Sequence, residues 1–235
     1  MDINILGVCG SPVKGEVTNT EHIVRAILNS CEKQGTRYGG NIKIKTDLVL
    51  LGESNIEAGC THCNWCLNFQ TADVFCSHND DMKEIYPKII EADGLIFGTP
   101  VYIGGMSWLM AAFIHRIRAL LEGRYYGFRG PLGGVLKDKI LAASSVAWVR
   151  HAGVETAMHS ILLSGFVFDF VITGASLPAL YGAGGVSAAP LGQLGGVRND
   201  KVAMEGAAAI GVRVVERCCL IKAGKQALKY LPAYL

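Results

Sequence analysis

Residues 3–22, with the sequence INILGVCGSPVKGEVTNTEH, decide the fold of this chain. The run Ile3–Val8 is mostly apolar rather than alternating, which is typical of a parallel strand buried on both faces. A polar, glycine-containing loop, 10–19, follows it. A helix is then predicted over 20–33, because apolar residues recur there at helical spacing and a glycine follows. This strand, loop and helix form the opening unit of an α/β domain.

The rest of the chain continues to alternate strands with helices. Further strands are predicted over 42–50, 94–98, 139–147 and 166–173, and further helices from Asp80 or Asp81 to about Glu91 and over 106–121, 154–164 and 200–222. Five strands separated by helices predict an α/β fold with a doubly wound, mostly parallel sheet. Ligands of such sheets bind beyond the carboxyl ends of the strands, where the strand order reverses. The loops after strands one, three and four are therefore expected to form the site.

The whole-chain properties favour a single domain, 1–235, that binds small molecules. Only 18% of the 235 residues are charged while 50% are hydrophobic, so self-association is expected. A net charge of +2 without a basic run argues against nucleic acid as a partner. The start of the chain lacks the pattern of a signal peptide, and the most apolar stretches, 140–149 and 161–173, are too short to span a membrane. A cytoplasmic location is the expectation.

The first loop carries the residues of a phosphate site. It lies between a strand and the start of a helix, where free N–H groups and the helix dipole favour an anion. Neither a P-loop pattern nor a G-x-G-x-x-G pattern occurs there, which disfavours a nucleoside triphosphate or a dinucleotide. The alternative is that Thr18 or Asn19 only caps the helix. The predicted phosphate ligands are Ser11, Pro12, Thr18, Asn19 and Thr20.

The second loop leaves strand three with glycines on both sides of an aromatic residue. Glycines permit close approach to a flat ring, and Tyr102 offers an aromatic face or a hydroxyl group. The alternative is an ordinary Gly/Pro turn with a core tyrosine. The candidate residues are Thr99, Pro100, Val101, Tyr102, Ile103 and Gly104.

Four of the eight cysteines lie within 17 residues, in the long segment 52–79. In a reducing compartment such clustering indicates metal ligation rather than disulfides. Cys60-x2-Cys63-x2-Cys66, with Cys76 as the fourth ligand, favours a 4Fe-4S cluster, and zinc or no metal are the alternatives. The other four cysteines are expected to be buried small hydrophobes, and no histidine of the segment is assigned as a ligand.

At this point the chain resembles a known family. GSP with the following TNT, and GTPVYIGGMSWLMAAFIHR (98–116), resemble the two flavin-holding signatures of the NAD(P)H-dependent FMN reductase and iron-sulfur flavoprotein branch of flavodoxin-like proteins. The resemblance implies a five-stranded sheet of order 2-1-3-4-5 with a cysteine-rich insertion after strand two. It implies FMN as cofactor, held by the first loop through its phosphate and by Pro100–Gly104 at the isoalloxazine ring. A third loop would add Ser144 and Trp148.

The resemblance also has departures. The third loop matches the family only at Gly153 and Glu155, and nine residues, Leu67–Phe75, precede the last cysteine where the family has fewer. The Gly/Ala-rich loop 174–199 receives no chemical assignment.

A flavin exchanges two electrons and an iron-sulfur cluster one, so their coexistence predicts an FMN-dependent oxidoreductase that passes electrons between cluster and flavin. No catalytic acid or base is named. The expected donor is ferredoxin or NAD(P)H, and the resemblance implies a homodimer or homotetramer. The alternatives are an NAD(P)H-dependent FMN or quinone reductase with a structural cysteine loop, and a zinc-holding binding or sensor module. Four basic residues, His115, Arg116, Arg118 and Arg150, are candidates to tune the flavin or dock a partner, with ordinary surface positions on helices as the alternative.

Overall fold

The structure, a computed structural model, describes residues 1–38, 41–187 and 195–228. Its strands are β1 (Asp2–Cys9), β2 (Lys43–Leu50), β3 (Gly94–Tyr102), β4 (Gly105–Met106), β5 (Ile140–Ala147), β6 (Val171–Ile172) and β7 (Ala183–Val186). Its α-helices are α1 (Asn19–Arg37), α2 (Trp65–Phe69), α3 (Met82–Glu91), α4 (Trp108–Arg116), α5 (Arg118–Leu121), α6 (Val154–Val167) and α7 (Lys201–Ala227). Short 3-10 helices lie at Leu51–Glu53 and Gly196–Asn199.

The sheet has the order β2-β1-β3-β5-β6, with these neighbours parallel. Since β5 and β6 are the fourth and fifth predicted strands, the predicted order 2-1-3-4-5 and the flavodoxin-like fold are confirmed. Two further short strands bring the sheet to seven. Strand β4 forms a hairpin with β3, and β7 pairs with the carboxyl-terminal half of β5, further along that strand than β6 does.

Helices cover both faces of the sheet, as a doubly wound fold requires. Side chains of β1 alternate between two hydrophobic cores: Ile3 and Ile5 pack with α1 and α7, and Leu6 and Val8 pack with α3, α4 and α6. All four are at most 2% exposed. Burial on both faces explains why this strand is nearly continuous in apolar residues.

The strand predicted over 166–173 is wrong except at Val171 and Ile172. Phe166 and Val167 form the last turn of α6 and are exposed. The helix ends through a tight turn in which Phe170 N donates to Gly165 O at 2.9 Å, with Asp169 in the left-handed region at φ 59°. The β-branched and aromatic composition predicted a strand here, but the contacts of the helix end decide the conformation.

Two other predictions need correction. The single helix over 106–121 is divided: Met106 belongs to β4, and the remainder forms α4 and α5 on either side of Ile117. The loop over 174–199 contains strand β7 and the 3-10 helix Gly196–Asn199, while 188–194 lies outside the described residues. Among the described helices, none combines the length and apolar character needed to cross a membrane.

Candidate functional site

Three loops meet at the carboxyl ends of β1, β3 and β5. The parallel register places Cys9, Gly98 and Ser144 side by side, so the segments that follow leave the sheet at one edge. Gly10 N donates to Gly98 O at 2.7 Å, and Ser107 Oγ donates to Gly10 O at 2.6 Å. These two bonds fix the first loop against the second.

The first loop ends at the N-terminus of α1, as predicted. Thr18 is the N-cap, and its hydroxyl accepts from Glu21 N at 3.1 Å. Ser11, Thr18 and Thr20 are each no more than 6% exposed, and Thr18 and Thr20 lie at the first turn of the helix. The helix end therefore offers backbone donors and hydroxyls to an anion.

Asn19 has a structural partner that the sequence did not indicate. Its Oδ1 accepts from Val197 N at 2.9 Å, which joins the 3-10 helix Gly196–Asn199 to the start of α1. The oxygen is thus engaged, and the amide group remains as the donor. Pro12 packs by its backbone against Gly52, where a Cβ atom would lie 2.6 Å from Ser11 O.

The second loop is a tight hairpin between β3 and β4. Ile103 and Gly104 form the turn with positive φ values of 49° and 78°, and the Ile103 side chain is fully exposed. A β-branched residue in the left-handed region is rare and marks local strain, which clusters at functional sites. Tyr102 is 43% exposed beside it, so the hairpin presents two large apolar side chains at the edge of the sheet.

Thr99 and Ser107 build the base of this hairpin. The buried Thr99 hydroxyl accepts from Ser107 N at 2.9 Å and donates to Pro100 O at 3.0 Å. Ser107 caps α4, accepting from Met110 N at 3.1 Å. The role of Ser107 was not predicted, although a serine directly before the apolar helix 108–116 is an N-cap signal.

The third loop reaches the second at Gly153. A Cβ atom on Gly153 would collide with the carbonyl of Gly104, so only glycine permits this approach. Trp148 is 57% exposed on the same loop. Ser144 is fully buried below Gly98, and its hydroxyl has no hydrogen-bond partner within the described part of the chain.

The four clustered cysteines lie around Cys66, at the start of α2. Burial raises the pKa of the Cys66 thiol; Arg118 lowers it, and Cys76, Cys60 and Cys63 each raise it further, so all four thiols share one electrostatic environment. The exposed Cys63 has a lowered pKa, chiefly because the Ser77 hydroxyl lies 3.3 Å from its sulfur.

The backbone around these cysteines turns sharply. His62 and Asn64 both have positive φ, 56° and 58°, so the chain reverses between successive thiols instead of extending. Among the described residues the four thiols do not form a group with three sulfurs within 4.8 Å of one another. Thiolates are ligands both of zinc and of iron-sulfur clusters, so the chemistry of the donor set suits either kind of group.

Gln70 explains how the long gap before Cys76 closes. This buried amide donates to Phe75 O at 3.0 Å and to Ala119 O at 2.8 Å, and its oxygen accepts from Tyr125 N and Tyr126 N. All of its hydrogen-bonding capacity is used. The gap is therefore folded onto α5, and Cys76 returns to the other three cysteines.

A buried ion pair attaches the cysteine segment to α4. Arg116 and Asp80 are at most 2% exposed and make a bidentate pair at 2.7 and 2.9 Å, and Arg116 Nη1 also donates to Ala58 O at 3.2 Å. Burial raises the pKa of Asp80, but the bonds to Arg116 outweigh it and hold that pKa below its ordinary value. Glu57 and His78 place ligand atoms near Asp80, but both Asp80 oxygens are engaged by Arg116, which disfavours a cation there.

Comparison with known proteins identifies the family of the chain. A family model described as NADPH-dependent FMN reductase matches residues 3–180. The chain is 31% identical over 221 residues to an iron-sulfur flavoprotein of Methanocaldococcus jannaschii, covering 94% of this chain and 100% of that protein. It is 33% identical over 159 residues to an iron-sulfur flavoprotein of Methanosarcina thermophila, covering 68% and 71%. The solved structure of RosB with bound 8-demethyl-8-formylriboflavin-5'-phosphate has a TM-score of 0.67 at 12% identity, covering 99% and 89%.

The family match and the three loops together define an FMN-dependent, flavin-binding oxidoreductase. The chain belongs to the iron-sulfur flavoprotein and NADPH-dependent FMN reductase family.

The ion pair between Arg116 and Asp80 generates the first prediction. Asp80→Asn leaves a buried guanidinium without its counter-charge, and we expect the free energy of unfolding at pH 7 to fall by about 3–5 kcal/mol in urea denaturation. Asp47→Asn, which removes the exposed partner of Lys88, is the control and is expected to cost less than about 1 kcal/mol.

The same pair predicts a pH dependence. The pKa of Asp80 is lower in the folded chain than in the unfolded chain. Its ionised carboxylate therefore stabilises the fold fully above the unfolded pKa of about 3.9, and this stabilisation is lost as the pH falls from that value through the folded pKa. The stability difference between the wild type and Asp80→Asn should therefore shrink below about pH 4. A difference that stays constant from pH 7 to pH 3 would contradict the role assigned to this pair.

Proposed function

We propose that the three loops hold FMN and that the cysteine segment holds a 4Fe-4S cluster, with electrons passing between the two. The first loop would bind the phosphate through Ser11, Pro12, Thr18, Asn19 and Thr20. The hairpin and third loop would contact the isoalloxazine ring through Thr99, Pro100, Val101, Tyr102, Ile103, Gly104, Ser144 and Trp148. The cluster ligands would be Cys60, Cys63, Cys66 and Cys76.

The observation that carries the proposal is the position of α4 between the two sites. Its N-cap, Ser107, is bonded to both flavin loops, and its last residue, Arg116, is bonded to the cysteine segment. Nine helical residues span about 14 Å, so one rigid element joins the two sites. The relatives named as iron-sulfur flavoproteins support the cluster as the occupant of the second site.

The cluster would supply one-electron chemistry and the flavin two-electron chemistry. The residues of the chain orient and tune these groups. Thr18 and the first turn of α1 supply neutral donors to the phosphate, while Gly153 and Gly104 bring the third loop against the hairpin that would cover the ring. The exposed Cys63 places one edge of the cysteine site at the surface, where a one-electron donor such as ferredoxin would reach it.

A second candidate function is an NAD(P)H-dependent FMN or quinone reductase whose cysteine segment is only structural. The description of the matching family, NADPH-dependent FMN reductase, favours NAD(P)H as donor. The two candidates differ in the first electron acceptor, which is the flavin for a nicotinamide and the cluster for ferredoxin. In both, we propose a cytoplasmic homodimer or homotetramer, supported by the many large apolar side chains exposed in the single chain.

Asn19→Asp tests the phosphate site. An aspartate keeps the oxygen that accepts from Val197 N and is favourable at a helix start, so the fold should be retained. Its negative charge opposes the phosphate, and we expect the FMN dissociation constant to rise about tenfold or more in fluorescence titration.

Two controls isolate the phosphate in this experiment. Riboflavin lacks the phosphate, so it should bind wild type and Asn19→Asp equally. Asn29→Asp places the same charge on an exposed site of α1 further along the helix and should leave FMN binding unchanged. Equal FMN affinity in wild type and Asn19→Asp would contradict the proposal that the phosphate binds at this helix end.

Cys63→Ala tests the cluster. Cys63 is exposed, so its loss should not disturb packing, and we expect iron and sulfide per chain to fall sharply in anaerobically purified protein while bound FMN is retained. Cys219→Ala, on α7 away from the segment, is the control and should keep wild-type iron. Wild-type protein with FMN but with zinc or no metal would favour the second candidate.

A further inference from the structure

Arg118 is aimed at the cysteine site. Its guanidinium donates from Nε to Glu122 Oε2 at 2.6 Å and from Nη2 to Asn64 Oδ1 at 3.1 Å. The third nitrogen, Nη1, lies 3.9 Å from the sulfur of Cys60. Two firm hydrogen bonds therefore fix the plane of the group and direct Nη1 at a proposed cluster ligand.

Other arginines near the segment do not share this arrangement. Arg116 is neutralised by Asp80 in its buried pair, and Arg124 is exposed and donates to the carbonyl of Asn68 at 3.0 Å. Within the described residues, Arg118 is the cation whose hydrogen bond reaches a thiol of the segment. Its side chain is 20% exposed, so solvent screens its charge incompletely.

The charge and the hydrogen bond act in the same direction on a thiolate-bound redox centre. Reduction adds a negative charge, and a nearby cation stabilises the more negative form more strongly. Hydrogen bonds to the ligand sulfurs and net charge are among the factors that set cluster potentials. Glu122, which lies against Arg118, carries the opposite charge and should oppose this effect.

We infer that Arg118, held in place by Asn64 and Glu122, raises the reduction potential of the centre bound at Cys60, Cys63, Cys66 and Cys76. It is a positioning residue, since it acts on the centre through Cys60. In the affected step the cluster gains one electron and an external one-electron donor loses one, and no bond forms or breaks. The inference rests on the proposed cluster and gives one side chain control over how readily the cluster accepts electrons.

The test is a redox titration of the anaerobic holoprotein, followed by the electron paramagnetic resonance signal of the reduced cluster. In Arg118→Gln the ratio of reduced to oxidised cluster at a fixed potential should fall about tenfold, equivalent to about 59 mV for a one-electron couple. Arg124→Gln, which removes a neighbouring charge without a bond to sulfur, should titrate as the wild type does. The flavin, followed by its visible absorption, should keep its potential in both variants.

Glu122→Gln is expected to shift the reduction potential of the cluster in the opposite direction. Removing the counter-charge of Arg118 should raise the ratio of reduced to oxidised cluster at the same fixed potential. If Arg118→Gln loses its iron, Glu122→Gln alone decides the inference. A wild-type potential in Glu122→Gln, or shifts of the same sign in both variants, would overturn it.

Metal analysis before the titration separates this inference from the proposed function. Wild-type protein without iron and sulfide overturns both. A normal cluster whose reduction potential is the same in the wild type, Arg118→Gln and Glu122→Gln overturns only the inference.

Discussion

The buried pair of Arg116 and Asp80 is the interaction on which the relation between the two sites depends. Taking two charges out of water is costly, and good geometry is needed to offset the cost. Here the pair is bidentate, and Arg116 also bonds the carbonyl of Ala58 just before the first clustered cysteine, although its buried Nε has no hydrogen-bond partner among the described residues. Tyr86 adds a bond from its hydroxyl to Arg116 O at 3.0 Å. The cysteine segment is thus attached to the core by polar contacts that tolerate little displacement.

Helix α4 carries both this anchor and the base of the first and second loops. Ser107 at the start of α4 receives the hairpin through Thr99 and holds Gly10 of the first loop, whereas Arg116 ends the helix under the cysteine segment. A helix of this length is stiff, so the position of one site constrains the other. Nine residues separate Cys66 from Cys76, and the bonds of Gln70 to Phe75 O and Ala119 O fold this gap onto α5. The side chains at the two ends of α4, Ser107 and Arg116, therefore fix how far the first two loops lie from the cysteine segment.

Sequence patterns were informative wherever one local rule dominates. The run Ile3–Val8 is apolar because both of its faces are buried, and the capping role considered for Thr18 or Asn19 as the alternative to a phosphate site is filled by Thr18. The partners that join distant segments were not predictable: Asn19 with Val197, or Arg116 with Asp80, carry no mark in the local sequence. The strand expected over 166–173 shows the same limit, because the contacts at the end of α6 override a β-branched composition. The assignment of residues as flavin or cluster ligands stays a prediction.

An anaerobic reductive titration tests the central claim, which is that one chain holds both a flavin and a cluster that exchange electrons. Dithionite would be added in known amounts while the visible spectrum and the paramagnetic signal of the cluster are recorded. Our account predicts an uptake of two electrons by the flavin and one by the cluster for each chain, with both signals changing in the same sample. Uptake of two electrons with bleaching of the flavin alone would contradict it.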